Sequence, residues 1–202
     1  MKKMPCLFQR EFHGRNSATL LDAVTPGCEW VLAGEGVASI KRDGTACMFQ
    51  GAYLFKRYDA KKDRKTGEYK MPPAGALPCD EPDPVTGHWP HWTVIGEHDY
   101  WHAEAFGRQR ADLVPGTYEL CGPKISANPE RFDVHTLVRH GSECLPSPRS
   151  FHDLREWFAD LPHEGLVFAH PDGRFAKLRR KDFGFDWPRA LPSVGPAPKE
   201  KA

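Results

Sequence analysis

One amine, three carboxylates and two late cations follow one another along this chain in an order that suits nucleotidyl transfer. In chain order they are Lys41, Asp43, Glu119, Glu164, Lys177 and Arg179. An amine can attack the α-phosphate of a nucleotide once it has lost its proton. Carboxylate oxygens suit hard divalent cations, and basic side chains bind phosphate. The order therefore predicts a lysine nucleophile, a metal ion at the carboxylates and a group of phosphate-binding cations.

Each of these side chains has an expected role in that chemistry. Lys41 is the expected nucleophile, and burial and nearby positive charge would help it to lose its proton. Lys177, Arg179 and a bound metal ion would supply that charge and would stabilise the negative charge that develops on phosphate oxygens. The expected ligands of Mg²⁺ or Mn²⁺, directly or through water, are three carboxylates: Asp43, Glu119 and Glu164.

The pattern around Lys41 places it at the end of a strand. Residues 37–40 form an apolar run that predicts a strand leading into Lys41. The Asp43-Gly44 dipeptide lies between two apolar runs, which predicts a tight turn. Residues 45–55 read as further strand, with Gly51 as a turn or a bulge. A rigid sheet could then hold the lysine in a fixed direction.

The second half of the chain predicts a helix followed by a hairpin. Apolar residues between Ser150 and Leu161 recur at helical spacing, with Ser150 as the expected N-cap and Pro162 after the helix. Residues 165–169 and 174–178 flank a Pro-Asp-Gly turn, which predicts a hairpin.

The remaining segments give weaker local signals. Residues 1–28 are expected to be irregular or partly helical, and the polar, proline-rich residues 59–90 to form a long surface insertion. Residues 91–106 suit a strand followed by either a strand or a helix. Short strands are expected at residues 117–121 and 132–138.

The composition suits one mixed or β-rich domain. The chain has 202 residues, of which 40% are hydrophobic, and 19 prolines and 18 glycines favour turns and short elements. The formal net charge of +1 gives no general attraction to nucleic acid. Two basic stretches, at residues 56–65 and 177–181, are commonly solvated surfaces in such chains, but together they favour a polyanionic partner.

Cysteine usage and hydropathy indicate where the protein works. The six cysteines include no Cys-x-x-Cys pair, and no signal-peptide pattern follows the opening residues. No apolar run approaches the roughly 20 residues needed to span a bilayer. We therefore expect free thiols, a reducing cytoplasmic location and no membrane partner.

The order of the motifs resembles that of the covalent nucleotidyltransferase superfamily of ATP-dependent nucleic-acid ligases and capping enzymes. Lys41-Arg42-Asp43-Gly44 matches the nucleophile motif, and Glu119 matches the acidic strand motif. Glu164-Gly165-Leu166-Val167 matches a Glu-Gly-x-Val motif, and Lys177-Leu178-Arg179 stands in the place of the final Lys-x-Lys. Over residues 30–188 the chain is most similar to the small ATP-dependent 5′–3′ RNA ligases of the vertebrate type.

The resemblance implies an α+β nucleotidyltransferase fold, the ATP-grasp-like adenylation domain of ligases. Antiparallel sheets would be flanked by helices, with ATP between the sheets. Residues 1–188 would form this single adenylation domain, and residues 189–202 a disordered tail. Because only about 20 residues follow the last basic motif, we expect no oligonucleotide-binding barrel.

The implied activity is ATP-dependent RNA ligation. AMP would be joined to Lys41, pass to the 5′-phosphate of an RNA end and leave when a 3′-hydroxyl attacks. The implied cofactors are ATP and Mg²⁺ or Mn²⁺, the implied partners are the RNA ends, and no protein partner is inferred. Six residues are expected to bind the nucleotide: Ile40, Lys41, Arg57, Glu119, Lys177 and Arg179. Ile40 departs from the family, which often has glutamate there, so recognition of adenine is expected to differ.

Three alternatives stay open at this point. A ligase for DNA or hybrid ends would carry the same motifs. A non-catalytic RNA-binding module derived from a ligase would not need Lys41, Glu119 or Glu164. An adenylyltransferase that modifies something other than nucleic acid would keep the same nucleophile.

Overall fold

The computed structural model describes residues 4–13, 18–63, 65–83 and 87–188, and the tail predicted at residues 189–202 lies outside this part of the chain. Within it the strands are β1 (Phe8–Phe12), β2 (Ala18–Val24), β3 (Val37–Lys41), β4 (Thr45–Gln50), β5 (Tyr53–Lys61), β6 (Leu77–Pro78), β7 (His88–Val94), β8 (Gly116–Cys121), β9 (Thr136–Arg139), β10 (Gly165–Ala169) and β11 (Phe175–Arg179). The helices are α1 (Glu29–Leu32), α2 (Tyr100–Gln109) and α3 (Phe151–Asp160), with a 3₁₀ helix at Arg180–Phe183.

The strands form three antiparallel sheets. The first is the β1-β2 hairpin, the second has the order β11-β10-β3, and the third has the order β6-β7-β5-β4-β8-β9. None of the sheets in the described ranges closes into a barrel. The predicted α+β class with antiparallel sheets is confirmed. No helix in these ranges is long and apolar enough to cross a bilayer.

The three-stranded sheet has one apolar face and one polar face. Alternate residues of its strands pack into a hydrophobic core that also contains side chains of the β1-β2 hairpin and of α3. The sheet residues in this core are Ala38, Leu166, Phe168, Ala176 and Leu178. Since neighbours in a strand point to opposite faces, the residues between them face away from this core. Lys41, Lys177 and Arg179 are among those residues.

The six-stranded sheet is built in the same way around a second core. Cys47, Phe49, Leu54, Tyr118 and Leu120 pack there together with Ala105 of α2. The opposite face of this sheet carries the alternate residues of the same strands, which include Glu119 and Arg57. Each sheet therefore keeps its candidate functional residues on the face that its core does not use.

Helix α3 and the β10-β11 hairpin confirm the sequence predictions. Ser150 is the N-cap of α3, and its hydroxyl accepts a hydrogen bond of 3.2 Å from the backbone N–H of Asp153. Arg180 belongs to the basic stretch predicted at residues 177–181, but its side chain is buried. It donates hydrogen bonds to the backbone carbonyls of Phe158 and Leu161. It binds the C-terminal end of the helix, so it is not part of an exposed basic cluster.

The prediction of an irregular or partly helical residue range 1–28 was wrong. Its described part contains the β1-β2 hairpin, with a register shift between Phe8 and Arg10. Leu7, Phe8 and Leu20 are buried in the core beside the three-stranded sheet. The register shift in β1 and the adjacent Leu20 and Leu21 in β2 break the alternation of apolar and polar residues on which a search for strands depends.

The expected insertion at residues 59–90 is shorter than predicted. Strand β5 continues to its beginning, β7 occupies its end, and Leu77–Pro78 adds a short edge strand. An isolated antiparallel bridge also joins Lys62 to Tyr69. After β7 the chain takes the strand-then-helix alternative.

The two strands predicted before α3 differ in how well their predicted bounds match the structure. The one at residues 117–121 is confirmed, whereas β9 begins later than residue 132. The side chain of Asn128 binds both the N–H and the carbonyl of Phe132, at 2.9 and 3.0 Å. These bonds hold the backbone of Phe132 in a local turn and keep it out of the strand ladder.

The Asp43-Gly44 dipeptide does not close a hairpin. Strand β3 before it lies in the three-stranded sheet, and β4 after it lies in the six-stranded sheet. The N–H of Gly44 donates 3.0 Å to Glu119, and a Cβ at this position would lie 2.1 Å from the carbonyl oxygen of Leu120. The glycine thus permits a close approach to β8, and residues 42–44 connect the two sheets.

Candidate active site around Lys41

The register of the three-stranded sheet brings the predicted basic residues to one face. Gly165 of β10 is paired with Lys41 on one side and with Arg179 on the other. Val167 is paired with Lys177. Directly paired residues of antiparallel strands point to the same side, so the three cations share a face. A Cβ at Gly165 would lie 2.2 Å from a backbone oxygen of β11, which explains the glycine between them.

Lys41 forms an ion pair with Glu164, the residue that precedes β10. Its Nζ contacts Oε2 of the carboxylate, and the two side chains are 22% and 8% exposed. Burial raises the pKa of Glu164, although the charge of Lys41 acts in the opposite direction. The structure thus joins the predicted nucleophile to a partly desolvated carboxylate.

Lys177 is a partly buried cation next to this pair. Burial, together with the positive charges of Arg179 and Lys41, lowers its pKa to about 8. No carboxylate among the described residues forms a salt bridge with Lys177, whereas Arg179 binds Asp182 at 2.8 Å. Of the two basic residues in the last motif, Arg179 is therefore fixed by an ion pair, whereas Lys177 has no such partner among the described residues.

Glu119 ties the six-stranded sheet to the connection between the sheets. One oxygen accepts the N–H of Gly44, and the other lies 3.0 Å from Nε2 of His140. Nδ1 of that histidine lies 3.0 Å from the hydroxyl of Thr117. The sequence predicted no role for His140 at the site, because its partner is 21 residues away and no local spacing links them.

Asp43 is held by the far end of the chain. Its Oδ2 accepts a hydrogen bond of 2.8 Å from the indole N–H of Trp187, and its backbone N–H donates 3.0 Å to Glu130. The three predicted metal ligands thus have separate partners. In the described ranges, no three histidine, cysteine or acidic residues are grouped so that they could hold a metal ion.

Arg42 and two acidic residues support the nucleophile motif, and the sequence reasoning missed their roles. The guanidinium of Arg42 binds both oxygens of Glu143, at 2.9 and 2.5 Å, and one oxygen of Glu130 at 2.6 Å. Burial raises the pKa of Glu130, but the nearby His163 and the hydrogen bonds from Arg42 and the backbone N–H of Asp43 outweigh this and lower it. The one local signal was the arginine inside the motif, whose partners are 88 and 101 residues away.

The predicted nucleotide contacts Arg57 and Ile40 are placed differently. Arg57 shares a sheet face with Glu119, whereas Lys56 points to the other face and pairs with Asp99 at 2.5 Å. The basic stretch that begins at residue 56 is therefore divided between two surfaces. The side chain of Ile40 lies on the core side of β3, opposite to Lys41, and is not brought to the candidate site.

Comparison with known proteins finds a similarity in the second half of the chain. Residues 107–199 match the family model of RNA ligase 1. This range contains Glu119, Glu164, Lys177 and Arg179, whereas Lys41 lies before it.

Curated relatives carry the same name. RNA ligase 1 of Danio rerio is 33% identical over 90 residues, which is 40% of this chain and 28% of that protein. RNA ligase 1 of Pongo abelii is 34% identical over 89 residues, or 39% of this chain and 27% of that protein. The matched segment thus spans less than a third of these relatives. The resemblance to RNA ligases is confirmed, and residues 107–199 of this chain are related to the RNA ligase 1 family.

Proposed function

We propose that this protein is an ATP-dependent RNA ligase that joins a 5′-phosphate to a 3′-hydroxyl through a lysine–AMP intermediate. The observation that carries the proposal is the contact between Lys41 and Glu164 on a sheet face shared with Lys177 and Arg179. The relation to RNA ligase 1 supports RNA as the substrate. The nucleotidyltransferase fold, a single domain over residues 1–188 and a cytoplasmic location belong to the same proposal.

In the first step Nζ of Lys41 attacks the α-phosphorus of ATP. A P–N bond forms, the bond from the α-phosphorus to the bridging oxygen breaks, and pyrophosphate leaves with the electron pair. The lysine must first give up a proton, and Oε2 of Glu164 is in contact with it. Because its pKa is raised, this carboxylate is a stronger base than an exposed glutamate. Lys177 and Arg179 would stabilise the charge on the phosphate oxygens.

The next two steps transfer AMP and join the ends. An oxygen of the RNA 5′-phosphate displaces Nζ of Lys41, which breaks the P–N bond and forms a pyrophosphate linkage to AMP. The 3′-hydroxyl of the other end then attacks the RNA phosphorus, loses its proton and releases AMP. We assign Arg57, on the face of Glu119, to the nucleotide ribose or the RNA end, and the exposed lysines of residues 61–65 to the RNA backbone.

The carboxylates suit a magnesium or manganese ion by their chemistry, and not as a preformed three-carboxylate cage. Mg²⁺ is commonly bound by one or two carboxylates together with substrate phosphates and water. Asp43, Glu119 and Glu164 would hold the metal, some directly and the others through water, together with phosphate oxygens of the substrate. When bound, the ion would neutralise charge on the transferred phosphate.

Labelling of the protein with α-³²P-ATP and Mg²⁺ tests the proposal. We expect label that survives denaturation in the wild type and is lost in Lys41→Ala. Lys56→Ala is a matched control, because this lysine lies on the other sheet face and should leave labelling unchanged. A folded protein that carries no AMP beforehand and takes no label would overturn the ligase assignment. Labelled protein that joins DNA ends and not RNA ends would overturn the substrate.

A further inference from the structure

The N-terminal segment lies along the outer edge of the strand that carries Lys177. The backbone N–H of Lys177 donates 2.9 Å to the carbonyl of Pro5, and the N–H of Leu7 donates 2.8 Å to the carbonyl of Lys177. Cys6 and Lys177 form a parallel bridge. Residues 5–7, which lie outside the range matched by the RNA ligase 1 family, thus pair with the outer edge of β11.

Through this pairing Arg10 joins the cations of the candidate site. NH2 of Arg10 lies 2.7 Å from Oδ1 of Asp182, and NH2 of Arg179 lies 2.8 Å from the same oxygen. The shared carboxylate is only 3% exposed. Lys177, Arg10 and Arg179 therefore supply three positive charges, while the described residues supply one carboxylate in salt-bridge contact with them.

Arg10 also has unused hydrogen-bond donors. A guanidinium carries five N–H groups. Only the bond to Asp182 is made to a described residue, and the buried Nε has no described acceptor. Partly buried positive charge without matching negative charge is unfavourable, and an anion with several oxygens would offset it.

The order of the cations across the sheet suits an extended chain of phosphates. Lys41 is on β3, and Lys177 and Arg179 are two strands away on β11. Arg10 is on β1, which follows the N-terminal segment that pairs with the outer edge of β11. Neighbouring strands are about 4.8 Å apart, so the nucleophile and β11 are separated by roughly 10 Å. In phosphoryl transfer the attacking atom and the leaving group lie roughly in line. A leaving pyrophosphate would then extend from Lys41 towards Arg10.

We propose that Arg10 binds the β- and γ-phosphates of the nucleoside triphosphate together with Lys177 and Arg179, and so stabilises the departing pyrophosphate. This inference rests on the proposed function, since it assigns a new residue to the first step. It makes the N-terminal hairpin a part of the triphosphate site. An RNA phosphate has the same chemistry, and the experiment has to separate the two sources.

Two reactions of the same protein make this separation. Lysine–AMP formation uses the triphosphate, whereas the joining of RNA that already carries a 5′-adenylate does not. For Arg10→Ala we expect kcat/KM for ATP in lysine–AMP formation to fall about ten- to a hundredfold, the usual loss for a charge-assisted contact. Joining of adenylylated RNA should stay within about twofold of wild type. Arg10→Lys should restore part of the first activity.

An equal loss in both reactions would overturn the proposal in favour of an RNA phosphate or a structural role. A normal rate in the first reaction would exclude any role of Arg10 with the triphosphate. Thermal unfolding of each variant identifies a loss of fold. Arg174→Ala, an exposed arginine at the other end of β11, should leave both reactions unchanged.

Calorimetric binding of inorganic pyrophosphate gives a result that does not depend on ligase activity. We expect Arg10→Ala to weaken this binding about tenfold or more, while Arg174→Ala does not. If pyrophosphate binding requires Arg10 but no lysine–AMP forms, the anion site stands and the ligase function fails. If lysine–AMP forms but Arg10→Ala binds pyrophosphate as the wild type does, the function stands and the role of Arg10 fails.

Discussion

The indole N–H of Trp187 donates a hydrogen bond of 2.8 Å to the carboxylate of Asp43, although 144 residues separate the two along the chain. Asp43 lies in the connection between the two sheets, directly after the candidate nucleophile. The segment that follows the last basic motif is thereby fixed to the first motif. The orientation of Asp43 depends on this contact.

Trp187→Phe removes this hydrogen bond and keeps the aromatic ring. A hydrogen bond to a charged acceptor contributes about 1.5–3 kcal/mol, so we expect lysine–AMP formation to slow by roughly tenfold or more. Single-turnover labelling with ATP measures this rate. Trp101→Phe is the control. Trp101 belongs to α2 and its ring stacks on His135, so it makes no contact with Asp43. Labelling of Trp187→Phe at the wild-type rate would show that Asp43 needs no such partner.

Arg42 should be a major contributor to stability. Arg42→Ala leaves Glu130, whose side chain is 2% exposed, without its main counter-charge. Loss of one partner of a buried ion pair costs about 3–5 kcal/mol, which urea unfolding at neutral pH would measure. The double variant Arg42→Met, Glu130→Gln removes the unpaired charge and should recover much of the loss. If the single variant unfolds as the wild type does, the ion pair contributes nothing.

The pH dependence of ATP binding should follow Lys177. Its pKa of about 8 means that the ammonium is charged below this pH and increasingly neutral above it. We therefore expect KM for ATP in the labelling reaction to rise as the pH rises through about 8. Lys177→Arg should show a flatter profile, because arginine keeps its charge. Equal profiles for the two proteins would contradict a phosphate contact at this position.

Lys177 also predicts a pH-dependent stability. A lysine with a lowered folded-state pKa binds its proton more tightly when the protein is unfolded, so its cost to folding is present below pH 8. This cost disappears as the pH approaches the ordinary lysine range. Lys177→Met should therefore be more stable than the wild type at neutral pH and should lose this advantage in alkali. Urea unfolding at two pH values tests the sign.

Gly165 should not tolerate a side chain. The Cβ of Gly165→Ala would meet backbone atoms of β11 at 2.2 Å, which would force the two strands apart. We expect a loss of stability and of lysine–AMP formation, since the paired residues are Lys41 and Arg179. Gly107→Ala is the matched control. That glycine lies in α2 with no atom near its Cβ position, so alanine should be neutral or stabilising by up to about 1 kcal/mol.

Arg57 and its neighbour should differ in their effect on RNA. Arg57→Ala removes a charge from the face of Glu119, whereas Lys56→Ala removes an ion pair with Asp99 on the opposite face. If Arg57 contacts the RNA end, its loss should reduce end joining and make RNA binding less dependent on salt. The lysine variant should change stability by about 1 kcal/mol or less. If Lys56→Ala reduces end joining and Arg57→Ala does not, the RNA binds on the face of the sheet that carries α2.

The parts of the molecule that the sequence predicted are those defined by local spacing. The strand that ends at Lys41, the capped helix α3 and the β10-β11 hairpin each have their signals within about a dozen residues. Proximity of Lys41, Glu164 and Lys177 followed from the resemblance to a family, since their spacing in the chain carries no contact information. The N-terminal hairpin had no comparable signal.

Charge partners could not be predicted in the same way. Arg180 reads as one member of a basic run, but its burial depends on where α3 ends in space. The partners of Arg42, Glu119 and Asp43 are likewise brought close only by the meeting of the two sheets. A sequence pattern records neighbours in the chain, and these contacts join residues from distant segments.

The crossing of the chain from β3 to β4 has a consequence for motion. Lys41 belongs to one sheet and Glu119 to the other, and only residues 42–44 separate β3 from β4. A nucleotide that touches both would act as a clamp across this connection. Amide hydrogen exchange at residues 42–44 should then slow when ATP binds, so this short segment would report the closing of one sheet upon the other.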